Sequence, residues 1–257
     1  MAPASAQREA FARRVTSGSG WPAGDDRLWR AFASTPRERF LPPGASVEMA
    51  CSDTTVGLLG GINNGQPSLH ALSLAALAPQ PGERVAHIGA GSGYYTAILA
   101  QLVGSAGGVE AYEIEPKLAA RALRNLAAMP WVRVEARSGA AAPIEAADVI
   151  YVNCGATAPQ ACWLDALRPG GRLLFPLTGE HGEGAMLLVR QAAGPVWPAR
   201  FIVPVLFIGC EGARDRGEAG AVAAAFAGGG AAAVRWLHRE GEVPAHAWCR
   251  GRGWWLG

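Results

Sequence analysis

The sequence predicts an α/β fold, a doubly wound and mostly parallel sheet with a helical cap at its N-terminal end and an antiparallel edge toward its C-terminal end. Three observations carry that expectation. Val85, Ala86 and Ile88 form an apolar run of strand length, followed by glycines at alternate positions (Gly89, Gly91, Gly93) and an apolar-periodic segment, Tyr95 to Leu102, that reads as a helix. Short apolar runs then alternate with helical patterns as far as Leu177, a rhythm that yields parallel strands joined by right-handed crossovers. Beyond Thr178 the helical pattern gives way to strand followed by strand.

In chain order, residues 6–15 form an amphipathic helix, and Asp25-Asp26 cap a second that runs through Phe32 and stops before Pro36. Residues 37–44, R-E-R-F-L-P-P-G, follow as an extended, proline-bounded exit. Residues 47–66 read as irregular and end in Ile62-Asn63-Asn64-Gly65-Gln66. Asparagines just before a helix either cap it or face a ligand, and on the residues alone capping is the stronger reading. Pro67 suits the first helical position, and the helix from Ser68 to Leu77 buries Leu69, Leu72 and Leu77 and carries His70, which alone on such a helix reads as structural.

The alternation continues with strand 84–88, helix 95–103, strand 109–114, helix 116–128, strand 131–135, strand 147–153 and helix 159–167. A turn over 168–171 introduces strand 172–177. Strands 186–190 and 201–208 pair antiparallel at the edge, helices 220–226 and 231–238 flank a Gly-Gly-Gly break, and the aromatic tail 247–257 reads as packing or an edge strand. The divisions expected are a helical and loop region (1–78), a core carrying the glycine turn (79–178) and strands and helices completing the same domain (179–257).

Composition narrows the function classes. At 257 residues and 50% hydrophobic content the chain can bury a sizeable core. Its 23 basic and 21 acidic residues leave a net charge of +2, too balanced for a nucleic-acid footprint. Five scattered cysteines without a C-x-x-C pair suggest neither a disulfide framework nor a metal site. The N-terminus lacks an apolar signal core, and the most apolar run, 201–210, is short for a membrane span and contains Pro204. A cytoplasmic protein with no nucleic-acid or membrane partner is expected; the oligomeric state stays open.

The chemistry centres on the glycine turn. Strand, glycine turn and helix bring bare backbone N–H groups and a helix N-terminus against a ligand. The spacing is G-x-G-x-G, with Tyr94 where a dinucleotide loop would need its last glycine. That favours S-adenosylmethionine (AdoMet), whose sulfonium and amino acid tail need close approach but no pyrophosphate cradle. Glu113 ends the second strand of the alternation, 113 − 89 = 24 residues beyond the first glycine, where a carboxylate accepts both hydroxyls of a ribose. Glu115 is its rival, though its place before Pro116 suggests a helix start. Asn153, at the tip of strand 147–153, borders the transfer site by topology.

The segments P-R-E-R-F-L-P, A-C-S-D, Q-P-S-L-H-A, V-A-H-I-G-A-G-S-G-Y, V-x-x-Y-E and L-R-P-G-G-R-L-L-F-P together resemble the protein-L-isoaspartate O-methyltransferases, a family of AdoMet-dependent, Rossmann-like enzymes, over roughly residues 25–178. The resemblance implies AdoMet as cofactor, S-adenosylhomocysteine as product and a protein or peptide with a free carboxylate as partner. It implies cofactor contacts from His87, Gly89, Ala90, Gly91, Gly93, Tyr94, Glu113, Ile114, Ser138, Gly139 and Asn153, and an acceptor site at Asn63, Asn64, Gly65 and His70. Three departures mark the chain. The family's T-I-S, whose serine faces the acceptor carboxylate, reads Asn63-Asn64-Gly65; the acid two positions before the first glycine is His87; and G-D-G reads Arg137-Ser138-Gly139.

Carboxyl methylation of an isoaspartyl group is the expected reaction. The Gly65 change raises the alternative of a different acceptor, a peptide natural product or small molecule. A protein that binds AdoMet without transferring its methyl is the reading from another class.

Overall fold

The structure, a computed structural model, describes residues 3–239, 241 and 243–257. The chain gathers into two compact units, residues 1–137 and 138–257.

The first unit opens with helices α1 (Ala4–Thr16) and α2 (Arg27–Ser34), which bury Phe11, Ala12 and Val15 on one and Leu28, Ala31 and Phe32 on the other. Asp25 rather than Asp26 meets the α2 N-terminus, accepting the Arg27 N–H at 3.0 Å, while Asp26 bonds Trp29 Nε1 and Arg30. The exit expected to be extended closes into a 3-10 turn, Arg37–Arg39. Residues 47–66 are more ordered than their composition implies. A short helix α3 (Val47–Ala50), capped by Ser46, precedes an antiparallel hairpin, β1 (Gly57–Leu59) and β2 (Ile62–Asn63). Gly60 and Gly61, both at positive φ, make its two-residue turn, the backbone that suits strand twist.

Helix α4 (Pro67–Leu77) starts at Pro67 as expected, and the Asp53 carboxylate accepts the Ser68 N–H at 2.8 Å. Its buried face differs from the expected one. Leu74 and Leu77 are fully buried with His70, Ala71 and Ser73, whereas Leu69 and Leu72 are half-buried. The helix is apolar nearly all round, so periodicity alone does not set its rotation. Strands β3 (Arg84–Ile88), β4 (Gly108–Tyr112) and β5 (Val132–Glu135) pair parallel, with α5 (Tyr94–Val103) and α6 (Pro116–Leu126) as the crossovers. Tyr112 lies beside Ile88 and Glu135, so Gly89 and Glu113 follow directly from neighbouring strand ends. Glu115 caps α6 by accepting the Lys117 N–H, as its place before Pro116 suggests.

In the second unit, β6 (Ala147–Val152) and β7 (Leu167–Thr178) are parallel and joined through α7 (Ala161–Ala166). The expected turn at 168–171 is absorbed into β7, whose register against β6 shifts between Ala147 and Val149. Strands β8 (Glu183–Arg190) and β9 (Val196–Leu206) continue antiparallel, followed by α8 (Arg216–Ala227). The expected helix over 231–238 does not form: a 3-10 turn, Ala231–Ala233, leads into strand β10 (Trp236–His238) against β9. After three glycines too few residues remain to offset helix nucleation, and Trp236 and Leu237 gain a paired strand instead. The tail is a hairpin, β11 (Cys249–Gly251) and β12 (Trp254–Leu256), with β12 on β10, so the antiparallel edge is longer than the single pair expected.

Candidate functional site

The glycine turn between β3 and α5 holds Gly89, Gly91 and Gly93 at φ of 77°, 57° and 93°, a region that side chains resist. A Cβ on Gly93 would stand 2.9 Å from Leu126 of α6, and one on Gly91 would touch Leu58 of the hairpin at 3.5 Å. The turn is therefore tight against α6 and in ordinary contact with the hairpin. Its N–H groups are not bare, contrary to expectation. Gly89 and Ala90 both donate to Tyr112 O, Gly91 donates to Glu113 Oε2 at 2.6 Å, and Gly93 donates to Ala90 O. The glycines thus contribute a surface stripped of side chains, and Gly91 fixes the carboxylate beside it.

Glu113 is 5% exposed. Its Oε1 accepts the Glu115 N–H at 2.9 Å, so each oxygen carries one main-chain bond and keeps further lone pairs to accept others. Burial raises its pKa above the ordinary carboxylate value, against the opposing pull of N–H groups from Glu115, Gly91 and Ile114. Ile114, next in the chain, exposes 42% of an apolar side chain. Tyr94 turns the other way. At 1% exposure it packs among Phe32, Phe40 and Tyr95, so only its main chain is left to meet a ligand.

His87 is fully buried, with Nδ1 2.8 Å from Thr96 Oγ1, and burial pushes its pKa down to about 3. His70 is likewise sealed, stacked on Tyr95 with ring centroids 3.6 Å apart. Burial first, then the proximity of His87 and of the Arg37 cation, hold it well below the usual imidazole range. Both rings are neutral at physiological pH. Gly65, at φ 63°, faces His70 directly: a Cβ there would lie 2.1 Å from His70 Nε2. The space that a serine at this position would need is filled by imidazole.

Asn63 and Asn64 part company. Asn63 is exposed, and its Oδ1 accepts the Gly65 N–H at 2.8 Å, a local turn. Asn64 is buried, and its Oδ1 accepts from Arg37 Nε at 2.9 Å. Arg37 is the residue that sequence reasoning missed. Buried to 2% exposure, it donates to the carbonyls of Ala50, Ser52, Thr54 and Gly65 and so ties the whole stretch 50–65 together. Only P-R-E-R-F hinted at it, and nothing in that segment says which arginine turns inward. Ser92, within the glycine turn, completes the frame, its hydroxyl donating to Phe40 O at 2.6 Å.

The structure brings Asn63, Asn64, Gly65, His70, His87, Gly89, Ala90, Gly91, Gly93, Glu113 and Ile114 into the first unit. Ser138, Gly139 and Asn153 belong to the second. There Ser138 Oγ accepts the Ala140 N–H and donates to Glu211 O, Gly139 O accepts from Trp163 Nε1 at 2.8 Å, and Asn153 follows the end of β6 half-buried.

Residues 21–214 match the family model described as protein-L-isoaspartate(D-aspartate) O-methyltransferase, beyond both ends of the 25–178 stretch that the motifs cover. Protein-L-isoaspartate O-methyltransferase 2 of Anaeromyxobacter sp. (strain Fw109-5) is 35% identical over 191 residues, covering 69% of this chain and 75% of the relative. The protein-L-isoaspartate O-methyltransferase of Aeropyrum pernix is 35% identical over 187 residues, 71% of each chain. A solved protein-L-isoaspartate O-methyltransferase superposes with a TM-score of 0.71 at 25% identity, over 81% of this chain and 66% of that one, just under two thirds of its length. A structure from Plasmodium falciparum, titled a putative enzyme of the same kind in complex with S-adenosyl-L-homocysteine, gives a TM-score of 0.68 at 20% identity, over 80% and 98% of the two chains. These likenesses show a Rossmann-like methyltransferase fold.

Proposed function

Because this chain belongs to the protein-L-isoaspartate(D-aspartate) O-methyltransferase family, we propose that it methylates the carboxylate of an isoaspartyl residue in a protein or peptide. It is an AdoMet-dependent methyltransferase. When bound, AdoMet supplies an electrophilic methyl group on a sulfonium.

The observation that carries the reading is Glu113, buried and tied to the glycine turn by the Gly91 N–H. Its remaining lone pairs suit the two hydroxyls of a ribose, and Ile114 offers an apolar surface for the adjoining base. The alternate glycines 89, 91 and 93 present main chain without side chains, which lets the sulfur end approach closely. His87, neutral, fully buried and bonded to Thr96, stands where the family has an acid, so this position offers the amino acid tail no carboxylate.

An aspartyl-type carboxyl group has a pKa of ~3.9 and is ionised at neutral pH. No general base is then required, and neutral, buried His70 is not asked to be one. The chain's task is to hold an anionic oxygen in line with the methyl carbon at ~3 Å and to keep water out. The carboxamides of Asn63 and Asn64 supply donors of the right sign for that oxygen. Repair of isoaspartyl damage in the cytoplasm is the physiological setting we assign; among the described residues no helix is long and apolar enough to cross a membrane.

The filled space beside Gly65 favours one second reading, a carboxylate acceptor in a peptide natural product or small molecule. Transfer of labelled methyl from AdoMet to an isoaspartyl peptide decides between them. Base-labile counts on that peptide, and none on its aspartyl isomer, are expected. AdoMet binding with transfer only to other acceptors would move the assignment to the second reading.

A further inference from the structure

From the hydrogen bonds around Arg37 we infer that this residue is a positioning residue for methyl transfer, one that locks the Asn64 carboxamide with its NH2 toward the acceptor carboxylate. The inference rests on the carboxyl-methylation reading above.

A guanidinium has five N–H donors and no acceptor. Arg37 spends all five: Nη1 on Ala50 O (3.4 Å) and Ser52 O (2.9 Å), Nη2 on Thr54 O (2.9 Å) and Gly65 O (3.0 Å), and Nε on Asn64 (2.9 Å). Since Nε–H only donates, the Asn64 atom it meets is the carboxamide oxygen. The NH2 end therefore points away from Arg37, with two donors to offer.

Among the described residues no carboxylate forms an ion pair with Arg37, whose five N–H groups all meet neutral oxygens. The acids nearest in the chain are Glu38, beside it, and Asp53, whose carboxylate accepts from the Ser68 N–H and Gln66 Nε2. The field of a buried cation with no ion-pair partner of its own favours a further anion close by. The same field would disfavour a cationic or neutral acceptor relative to a carboxylate.

The neighbouring candidates are weaker. Gly65 has no side chain, and one added there would collide with His70 Nε2. Asn63 is exposed, and its carboxamide is fixed only by its own turn. Asn64 is held at both ends, its N–H on Val56 O at 2.8 Å and its Oδ1 on Arg37. Preorganised donors hold a reacting group with less loss of freedom than mobile ones.

Asn64→Asp is the sharpest test. It replaces the NH2 with a second oxygen, repelling a carboxylate acceptor, while the new acid pairs with Arg37 and keeps the loop folded. The expected result is an isoaspartyl-peptide KM raised about ten- to hundredfold, the worth of a hydrogen bond to a charged group. AdoMet Kd and the melting temperature should hold at wild-type values. Arg37→Lys keeps the charge but brings three donors to five acceptors and loses the planar fork that reaches Asn64. It should raise the same KM and also lower the melting temperature, which Asn64→Asp should not. An unaltered peptide KM in Asn64→Asp overturns the inference, as does a parallel loss of AdoMet affinity and stability, which would mark Asn64 as merely structural. A wild-type enzyme that transfers methyl to no carboxylate would overturn the underlying reading as well. With an active wild type, only the Asn64 assignment is at stake.

Discussion

Each unit carries an arginine that binds main-chain carbonyls, and the two differ in what surrounds them. Arg37 of the first unit is sealed from water and holds four carbonyls and Asn64. Arg214 of the second joins Gly155 O, Thr178 Oγ1, Gly179 O and Glu180 O in much the same manner, but lies exposed. In water, a lost arginine is replaced by solvent at little cost; in the interior, its partners are left unsatisfied. The same kind of staple is therefore dispensable in one unit and structurally decisive in the other. The sealed one stands beside Asn63-Asn64-Gly65.

Substitution of both arginines by methionine breaks the comparison most strongly. Arg37→Met should lose on the order of 3 kcal/mol of unfolding free energy, because several buried acceptors lose their donor together. The same change at Arg214 should cost at most about 1 kcal/mol. Urea unfolding of the two variants measures this, and equal losses would show that burial does not separate them.

A smaller effect sharpens the contrast through pH. His87 and His70 are buried neutral in the first unit, whereas His238 of the second sits half-buried on Trp255. The folded pKa of His87 is depressed to about 3, so the unfolded chain binds more protons below pH ~6.5. Stability is fully present above that value and is lost as pH falls toward the folded pKa, at ~1.4 kcal/mol per pH unit for each buried histidine. His87→Gln should flatten the loss between pH 6 and 4 by about that much. An unchanged slope would mean that the His87 ring is charged in the fold.

Legibility also divides between the units, for physical reasons. Strands β3, β4 and β5 and their crossover helices were readable to within a few residues, because each apolar run is bounded by glycine or proline and its partner follows one helix later. The strand end at Glu113 followed from the same spacing. In the second unit the 231–238 segment misled, since alanines after three glycines suggest a helix and only the neighbouring β9 makes a strand of Trp236–His238. At the site, residue types were readable but orientations were not. Nothing in the sequence says that Arg37 turns inward, that His70 fills the space at Gly65, or that Tyr94 leaves the glycine turn for the core. Those outcomes depend on packing between segments far apart in the chain.

Titration calorimetry of AdoMet against the wild type and Glu113→Ala tests the central assignment most directly. The buried carboxylate, held by Gly91 and Glu115 with lone pairs to spare, predicts saturable binding by the wild type and a loss of about 1–3 kcal/mol of binding free energy in the variant. Equal affinities in the two proteins would contradict it.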